Sequence, residues 1–244
     1  MVKRYPVQIG SWAVNEASYN LPDLLKVVKS AVKVALNQSQ RPGILLSGGL
    51  DSTILVLLAR ELDQNIPCFT IGSSFDHPDV VASMRLAKEF DLKLFVYLPT
   101  RKDVELACEK IKTNLPGDEI VFLALQFASH FVTDILATDG IDELMGGYWE
   151  HAQSLLPTNW FRIFWDKLES DHLTPMFESA KQVGVNIHWV NLDPNVISYI
   201  SRIPLRDRVR DGITKQAWRD LVRLVGVPEW VIQRKKLGFL NALY

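Results

Sequence analysis

The residues best suited to chemistry form a glycine-rich turn between two apolar runs. Residues 47–52 read Ser-Gly-Gly-Leu-Asp-Ser, and they lie between the apolar segments 43–46 and 53–59. This pattern is typical of a strand that leads through a loop into a helix, where backbone N–H groups and the helix dipole face an anion. Gly48 and Gly49 carry no Cβ, so a phosphate can approach the backbone closely. The turn predicts a phosphate site, and a glycine turn that only caps a core helix is the alternative.

The side chains of this turn indicate that the phosphate comes with a metal ion. Ser47 and Ser52 supply hydroxyl donors. Asp51 would repel a bare phosphate, so its presence predicts a bridging Mg²⁺. The turn lacks the Gly-x-x-x-x-Gly-Lys-Ser/Thr pattern of a Walker A motif. We therefore expect a phosphate cradle of a different kind that works with Mg²⁺.

A second acidic turn lies about ninety residues further along the chain. Residues 138–148 read Thr-Asp-Gly-Ile-Asp-Glu-Leu-Met-Gly-Gly-Tyr and follow an apolar run. Asp139 and Asp142 suit a metal that faces the first turn, since Mg²⁺ is usually held by one or two carboxylates plus substrate phosphates. A carboxylate in this place can also cap a helix, and for Glu143 that interpretation stays open.

The elements that must position these turns predict an α/β fold with a parallel twisted sheet and helices on both faces. Strands separated by helices favour right-handed parallel crossovers. Ligands of such sheets bind beyond the carboxyl ends of the strands, where residues 47–52, 71–72 and 138–142 would converge. The strands are expected at 43–46, 66–72, 94–98 and 134–138, and the helices at 20–37, 52–63, 78–90, 102–112 and 118–132.

Beyond Tyr148 the strand signals fade, and the pattern predicts a C-terminal helical lobe over the ligand edge of the sheet. Helices are expected at 159–169, 174–183, 194–202, 214–225 and 228–235. The tryptophans of this region are expected in the core of the lobe rather than around a cofactor: Trp149, Trp160, Trp165 and Trp189. The chain would thus divide into an N-terminal arm and helix (1–39), an α/β core (40–150) and the lobe (151–244).

Composition excludes several classes of protein. The 244 residues carry 27 Lys and Arg against 28 Asp and Glu, so no overall basic field draws the chain to nucleic acid or to a membrane surface. Cys68 and Cys108 form no C-x-x-C pair, which argues against a disulfide framework, a zinc ribbon or an iron–sulfur cluster, and Cys68 is expected to be an inert core thiol. The sequence shows neither an apolar stretch of roughly 18 residues nor a signal peptide. We expect a soluble cytoplasmic protein.

Residues 47–52 resemble the PP-loop of ATP pyrophosphatases, enzymes that split ATP into AMP and pyrophosphate. Together with residues 140–148 they resemble the synthetase domain of asparagine synthetase B and its relative β-lactam synthetase, specifically over about residues 40–150. Looser similarities follow in the same order: residues 184–193 sit where the family has Gly-Val-Glu-x-Arg-x-Pro-Phe-Leu-Asp, residues 215–219 are similar to Lys-x-x-Leu-Arg, and residues 228–239 are similar to Leu-Pro…Arg-x-Lys-x-Gly-Phe. The resemblance implies an adenine nucleotide alpha hydrolase-like fold.

The resemblance also implies ATP and Mg²⁺ as cofactors. Asp51 and Asp142 would be the Mg²⁺ ligands. The adenosine site would be lined by Leu46, Ser47, Ile71 and Gly72. The pyrophosphate would be held by Ser47, Gly48, Gly49, Asp51 and Ser52.

Three further roles follow from the resemblance. Lys215 would neutralise charge on the α-phosphate or the acyl-adenylate, with a surface lysine as the alternative. Asp139 stands where the family has its catalytic glutamate. Arg234, Lys235 and Lys236 would reach the pyrophosphate or else form a solvated basic tail.

The residues that depart from the family's pattern bear on recognition of the acid to be activated, and none of them is among the residues expected to bind ATP. Asp139 is one methylene shorter than glutamate, and Ile141 replaces a small hydroxyl residue. Asn186 and His188 replace the Glu and Arg of the downstream segment, and the helix at 118–132 lacks the family's Arg-x-Ser stretch. We therefore expect ATP and metal binding and leave open the acid that is activated.

The chain opens with Met1-Val2 and not with the catalytic cysteine of the family's glutaminase domain. We expect nitrogen to come from free ammonia, from another amine or from a separate glutaminase subunit. The leading hypothesis is an AMP-forming amide synthetase that activates a small carboxylate, aspartate by resemblance, and whether it forms a homodimer stays open. Two alternatives remain: a PP-loop enzyme that adenylates a tRNA base, disfavoured by the balanced charge, and a non-catalytic ATP-binding paralogue or subunit of a glutaminase complex.

Overall fold

The computed structural model describes residues 18–111, 117–153 and 157–235, which form five strands and thirteen α-helices. The strands are β1 (Pro42–Leu45), β2 (Cys68–Ile71), β3 (Leu94–Tyr97), β4 (Asp134–Ala137) and β5 (Asn186–Trp189). The helices are α1 (Leu21–Gln38), α2 (Leu50–Arg60), α3 (Pro78–Phe90), α4 (Arg101–Lys110), α5 (Asp118–Ser129), α6 (Ile141–Met145), α7 (Trp149–Gln153), α8 (Pro157–Leu168), α9 (Thr174–Val183), α10 (Pro194–Ile200), α11 (Leu205–Arg208), α12 (Gln216–Leu224) and α13 (Glu229–Gln233). The predicted N-terminal arm and Lys236 lie outside the described residues.

The five strands form one parallel sheet in the order β3-β2-β1-β4-β5. Successive strand residues point to opposite faces, so Leu136 enters a core with α1 and α2, whereas Ile135 enters a core with α5 and α9. Both faces are therefore covered by helices. The expected α/β fold with a parallel sheet is confirmed.

Helix α1 forms where its sequence predicts it. The Asn20 side chain accepts from the Asp23 N–H at 2.8 Å and caps the helix. An apolar stripe at helical spacing is buried: Leu24, Val28, Ala31, Val32 and Ala35. This stripe packs against α2, α10 and α12, so the C-terminal helices cover the first helix of the chain. One apolar cluster thus contains side chains from all three predicted segments, and the boundaries at 39 and 150 stay predictions.

The expectation that strands end before Tyr148 is wrong, because β5 adds a fifth strand beside β4. Only half-buried, β5 contains two polar residues, which hid its strand character. The Asn186 amide donates to Asp134 Oδ1 at 3.2 Å, and His188 Nε2 lies 3.1 Å from the same oxygen. These two residues, which depart from the family's pattern, therefore bind the first residue of β4, at the end of the sheet opposite the predicted ligand edge.

The prediction that four tryptophans lie in the core of the C-terminal lobe is also wrong for one of them. Trp149 is 73% exposed, whereas Trp160, Trp165 and Trp189 are half-buried.

Cys68 is fully buried, and burial raises its pKa to about 12, which fits the expected inert thiol. Within the described ranges, no helix combines the length and apolar character needed to cross a membrane.

Candidate active site

The glycine-rich turn connects β1 to α2 and requires glycine at its centre. Gly48 has a φ of +67°, and a Cβ there would lie 2.4 Å from the Cβ of Ala82 on α3. Gly49 directly precedes α2 with a φ of −86°. A Cβ at Gly49 would lie 3.3 Å from Ser47 Oγ, its nearest neighbour. The turn is therefore pressed against the backbone of α3 at Gly48, whereas at Gly49 the close neighbour is a serine hydroxyl.

Hydroxyl groups line the turn at the start of α2. Ser47 Oγ and Ser52 Oγ lie 3.2 Å apart, and the Gly49 N–H donates to Ser47 Oγ at 3.4 Å. Thr53 Oγ1 donates to the Gly49 carbonyl oxygen at 2.7 Å and fixes the backbone there. The hydroxyls and N–H groups thus gather where an anion would meet the helix N-terminus.

Two carboxylates from different turns meet at one ammonium group. Lys215 Nζ lies 2.6 Å from Asp51 Oδ2 and 2.8 Å from Asp142 Oδ1. The Lys215 side chain is 6% exposed, so this cation is largely removed from solvent. Asp51 belongs to the first turn of α2 and Asp142 to the first turn of α6, and the two turns therefore converge as the sequence predicts.

Glycine allows the chain to pass over this ion pair. A Cβ at Gly147 would lie 1.8 Å from Asp142 Oδ1 and 2.4 Å from Lys215 Cε. The Gly147 N–H donates to the Asp142 carbonyl oxygen at 2.8 Å. The backbone after α6 is thereby held directly against the two charged groups.

A tryptophan that sequence reasoning missed completes the cluster. Trp218 Nε1 donates to Asp51 Oδ1 at 3.1 Å. Lys215 has a φ of +55° and precedes α12, so the expected helix from residue 214 begins two residues later. Trp218 is the third residue of α12, and no local signal in the sequence marks it as a partner of Asp51.

Glu143, next to Asp142, is buried and bonded to Tyr148. The Tyr148 hydroxyl donates to Glu143 Oε1 at 2.5 Å, and its oxygen lies 3.4 Å from His172 Nε2. Burial raises the pKa of Glu143, and the charge of Asp142 raises it further. Burial and the neighbouring Glu143 also raise the pKa of Tyr148, which keeps its proton available as a donor.

The predicted adenosine-site residues lie at the ends of neighbouring strands. Leu46 and Ile71 have buried side chains, so a ligand would meet their backbone groups. Gly72 follows β2, and a Cβ there would lie 2.6 Å from Val80 Cγ2 on α3.

Asp139 lies half-buried in the turn before α6, where the Thr138 carbonyl oxygen accepts from the Asn191 amide at 2.8 Å.

The basic segment near the end of the chain reaches the turn through Arg234. Its guanidinium donates to the Ser47 carbonyl oxygen at 3.4 Å and forms a short ion pair with Asp79. Lys235 is exposed, and Lys236 lies outside the described residues. Arg234 therefore braces the glycine-rich turn from the side of α3.

The donor set suits a divalent cation completed by phosphate oxygens. Asp51 and Asp142 already share one cation, the Lys215 ammonium. Within residues 18–111, 117–153 and 157–235, no group of three or more His, Cys, Asp or Glu side chains is placed to hold a metal. Mg²⁺ commonly takes one or two carboxylates together with phosphate oxygens and water. The two aspartates thus fit the protein's share of such a site.

Comparisons with known proteins point to one family. The family model described as asparagine synthase matches residues 23–189 and 178–243. A probable glutamine-hydrolyzing asparagine synthetase of Acanthamoeba polyphaga mimivirus is 25% identical over 245 residues, covering 89% of this chain and 42% of that protein. The glutamine-hydrolyzing asparagine synthetase of Homo sapiens is 24% identical over 244 residues, covering 88% and 42%. The chain thus spans under half the length of these relatives.

A solved structure supports the fold. The NMN synthetase from Francisella tularensis aligns with a TM-score of 0.54 at 13% identity, over 91% of this chain and 78% of that one. At this identity the likeness concerns the arrangement of the sheet and its helices.

Proposed function

Because the chain belongs to the asparagine synthase family, we propose that it is an ATP-dependent ligase that forms an amide through an acyl-adenylate. The observation that carries this proposal is the convergence of Asp51, Asp142 and Lys215 beside the glycine-rich turn. Anion-binding backbone, two carboxylates for a metal and one buried ammonium are the groups that adenylation needs.

In this proposal the turn binds the pyrophosphate part of ATP through its N–H groups and the Ser47 and Ser52 hydroxyls. Asp51 and Asp142 would hold Mg²⁺, which would supply positive charge to neutralise the pyrophosphate. A substrate carboxylate oxygen attacks the α-phosphorus, and the bond from that phosphorus to the pyrophosphate oxygen breaks. Lys215 stabilises the negative charge on the α-phosphate because its ammonium acts in a largely desolvated site.

Amide formation then needs only a positioned nucleophile. The nitrogen lone pair of ammonia or an amine attacks the acyl carbon, AMP leaves with the electrons of the acyl–oxygen bond, and a proton is released. Holding both reactants in place supplies much of the acceleration. Aspartate is the proposed acid and ammonia, supplied free or by hydrolysis of glutamine, the proposed nitrogen source, since the relatives are named glutamine-hydrolyzing asparagine synthetases.

Product analysis tests the proposal. The protein is incubated with Mg²⁺·ATP and a panel of small carboxylic acids, with ammonium, glutamine or neither. We expect AMP and pyrophosphate in equal amounts with the amide, in reactions that contain the correct acid and a nitrogen source. ADP and phosphate as products would contradict it, and pyrophosphate release that requires tRNA would support the base-adenylating alternative.

Two observations favour a second candidate, an ATP-binding protein without catalysis. The Lys215 ammonium already neutralises both metal-ligand candidates, and Asp139 is shorter than the family's glutamate. Calorimetry that finds tight ATP binding, together with no pyrophosphate release for any acid, would support this candidate over the ligase.

A further inference from the structure

Both oxygens of the Asp51 carboxylate accept a hydrogen bond from the start of α12. Lys215 Nζ donates to Oδ2 at 2.6 Å, and Trp218 Nε1 donates to Oδ1 at 3.1 Å. Lys215 directly precedes α12, and Trp218 is its third residue. One helix end therefore fixes both the position and the rotation of this carboxylate.

The two donors differ in how freely they can move. Lys215 carries its charge on a flexible four-carbon stem, so the ammonium can shift when another cation arrives. Trp218 is 1% exposed and packs in the main core with Leu221 and Val222. Its ring also borders a small cavity that Asp51 and Val32 help to line. The indole is therefore the fixed partner of Asp51.

Burying a tryptophan in this fold does not by itself require a hydrogen bond from its indole N–H. Trp189 packs against the same core, and its Nε1 is buried with no hydrogen-bond partner among the described residues. A buried N–H without a partner is tolerated there, whereas at Trp218 it is directed at a carboxylate. The family's Lys-x-x-Leu-Arg segment has leucine at this position, which has no donor.

We propose that Trp218 is a positioning residue for the Mg²⁺·ATP site: its indole N–H holds Asp51 Oδ1 so that Oδ2 is presented toward Asp142 for the cation. This inference rests on the proposed function. Without the indole, the carboxylate is free to rotate, and the cation meets it in several orientations. Fixing one orientation in advance lowers the ordering cost of binding.

The test measures cation binding directly and needs no turnover. Mn²⁺, as a paramagnetic substitute for Mg²⁺, is titrated by electron paramagnetic resonance into protein saturated with α,β-methylene-ATP, which cannot be cleaved at the reacting bond. We expect Trp218→Phe, which keeps an aromatic ring but loses the N–H, to raise the Mn²⁺ dissociation constant about tenfold, since hydrogen bonds to charged groups have effects of this size.

A matched control shows whether the rise in the Mn²⁺ dissociation constant is specific to the hydrogen bond of Trp218 or follows from the loss of any hydrogen bond from an indole N–H. Trp230 Nε1 also donates to a carboxylate, Glu89 Oε2 at 3.2 Å, on the exposed side of the molecule. Trp230→Phe should leave the Mn²⁺ dissociation constant unchanged. Folded Trp218→Phe protein with the wild-type constant would overturn the inference, whereas wild-type protein that binds neither Mn²⁺ nor the analogue would contradict the proposed function itself.

A second measurement keeps the inference testable if Trp218→Phe fails to fold. In wild-type protein labelled with ¹⁵N-indole, the Trp218 N–H should exchange slowly with solvent and should shift when Mg²⁺ and the analogue bind. Substituting the other tryptophans one at a time assigns the resonance by elimination. A Trp218 resonance that does not respond to the cation would overturn the inference.

Discussion

At Gly48 the residue type is set by two independent constraints, the left-handed backbone and the contact with Ala82. We expect Gly48→Ala to lower the midpoint of thermal unfolding strongly and to abolish ATP binding, because a methyl group cannot fit there. Gly184 offers the matched control: its φ is +74°, but nothing lies within 4 Å of a Cβ there. Gly184→Ala should cost only the left-handed strain, about 1 kcal/mol. Equal destabilisation of the two variants would show that the contact with Ala82 is unimportant.

Asp51 and Asp142 should each be essential for catalysis. We expect Asp51→Asn and Asp142→Asn to abolish pyrophosphate release, because each removes a charge that both Mg²⁺ and Lys215 require. Asp166→Asn is the control, since Asp166 pairs with Arg162 on an exposed helix surface, 3.7 Å away. Activity retained in both site variants would refute the metal assignment.

The two aspartates could be foreseen, and the tryptophan could not. Each aspartate follows a predicted strand within a recognisable turn, and parallel strands bring such turns to one edge. Trp218 reaches Asp51 from 167 residues away, through the packing of α12 on α1 and α2. No local pattern encodes that approach, and Lys215 was found only through its resemblance to a family segment.

At the scale of elements, Asp134 joins three pieces of chain at the start of β4. Its carboxylate accepts from the Thr133 hydroxyl, the Gln40 N–H and the Asn186 amide, and it lies beside His188. Burial alone would raise its pKa, but the hydrogen bonds, first those from Thr133 and His188, outweigh burial and hold the pKa below its usual range.

This lowered pKa predicts a pH dependence of stability. A carboxylate whose pKa is lower in the folded state than in the unfolded state stabilises the folded state fully above the unfolded-state pKa of about 4. This stabilisation is lost as the pH falls below that value. Urea denaturation from pH 6 down to pH 3 should show a steeper loss of unfolding free energy in wild-type protein than in Asp134→Asn. The exposed Asp76 provides a control, and Asp76→Asn should keep the wild-type slope.

Helix α1 could be predicted from local sequence, whereas strand β5 could not. The apolar stripe of α1 keeps helical spacing over about three turns, and the bounds of this helix could be predicted to within a residue. Strand β5 has four residues, two of them polar, and its polar residues are explained only by Asp134 on the neighbouring strand. Its strand character depends on a partner that local sequence does not contain.

At the scale of the whole molecule, the described chain shares one main core. Leu24 of α1, Ile54 of α2, Val196 of α10 and Leu221 of α12 belong to a single cluster. The Tyr199 hydroxyl also donates to the Asn20 carbonyl oxygen at 2.9 Å, joining α10 to the residue that caps α1.

A shared core predicts cooperative unfolding. Circular dichroism and intrinsic fluorescence should report one coincident urea transition for the full chain. A fragment of residues 18–150 should show no cooperative transition, because the apolar stripe of α1 would lose α10 and α12. Two resolved transitions in the full chain, or a stably folded fragment, would contradict a single cooperative unit.

The order of the strands also has a consequence during synthesis. β4 is complete at Ala137, but its outer neighbour β5 is complete only at Trp189. At about 5–20 residues per second, a ribosome needs roughly 3–10 s for the intervening stretch. Throughout that interval β4 presents unpaired backbone groups, which can template pairing with another chain. The nascent chain therefore exposes the edge of the fully buried strand β4, which the finished protein replaces with the edge of the more polar and more exposed β5.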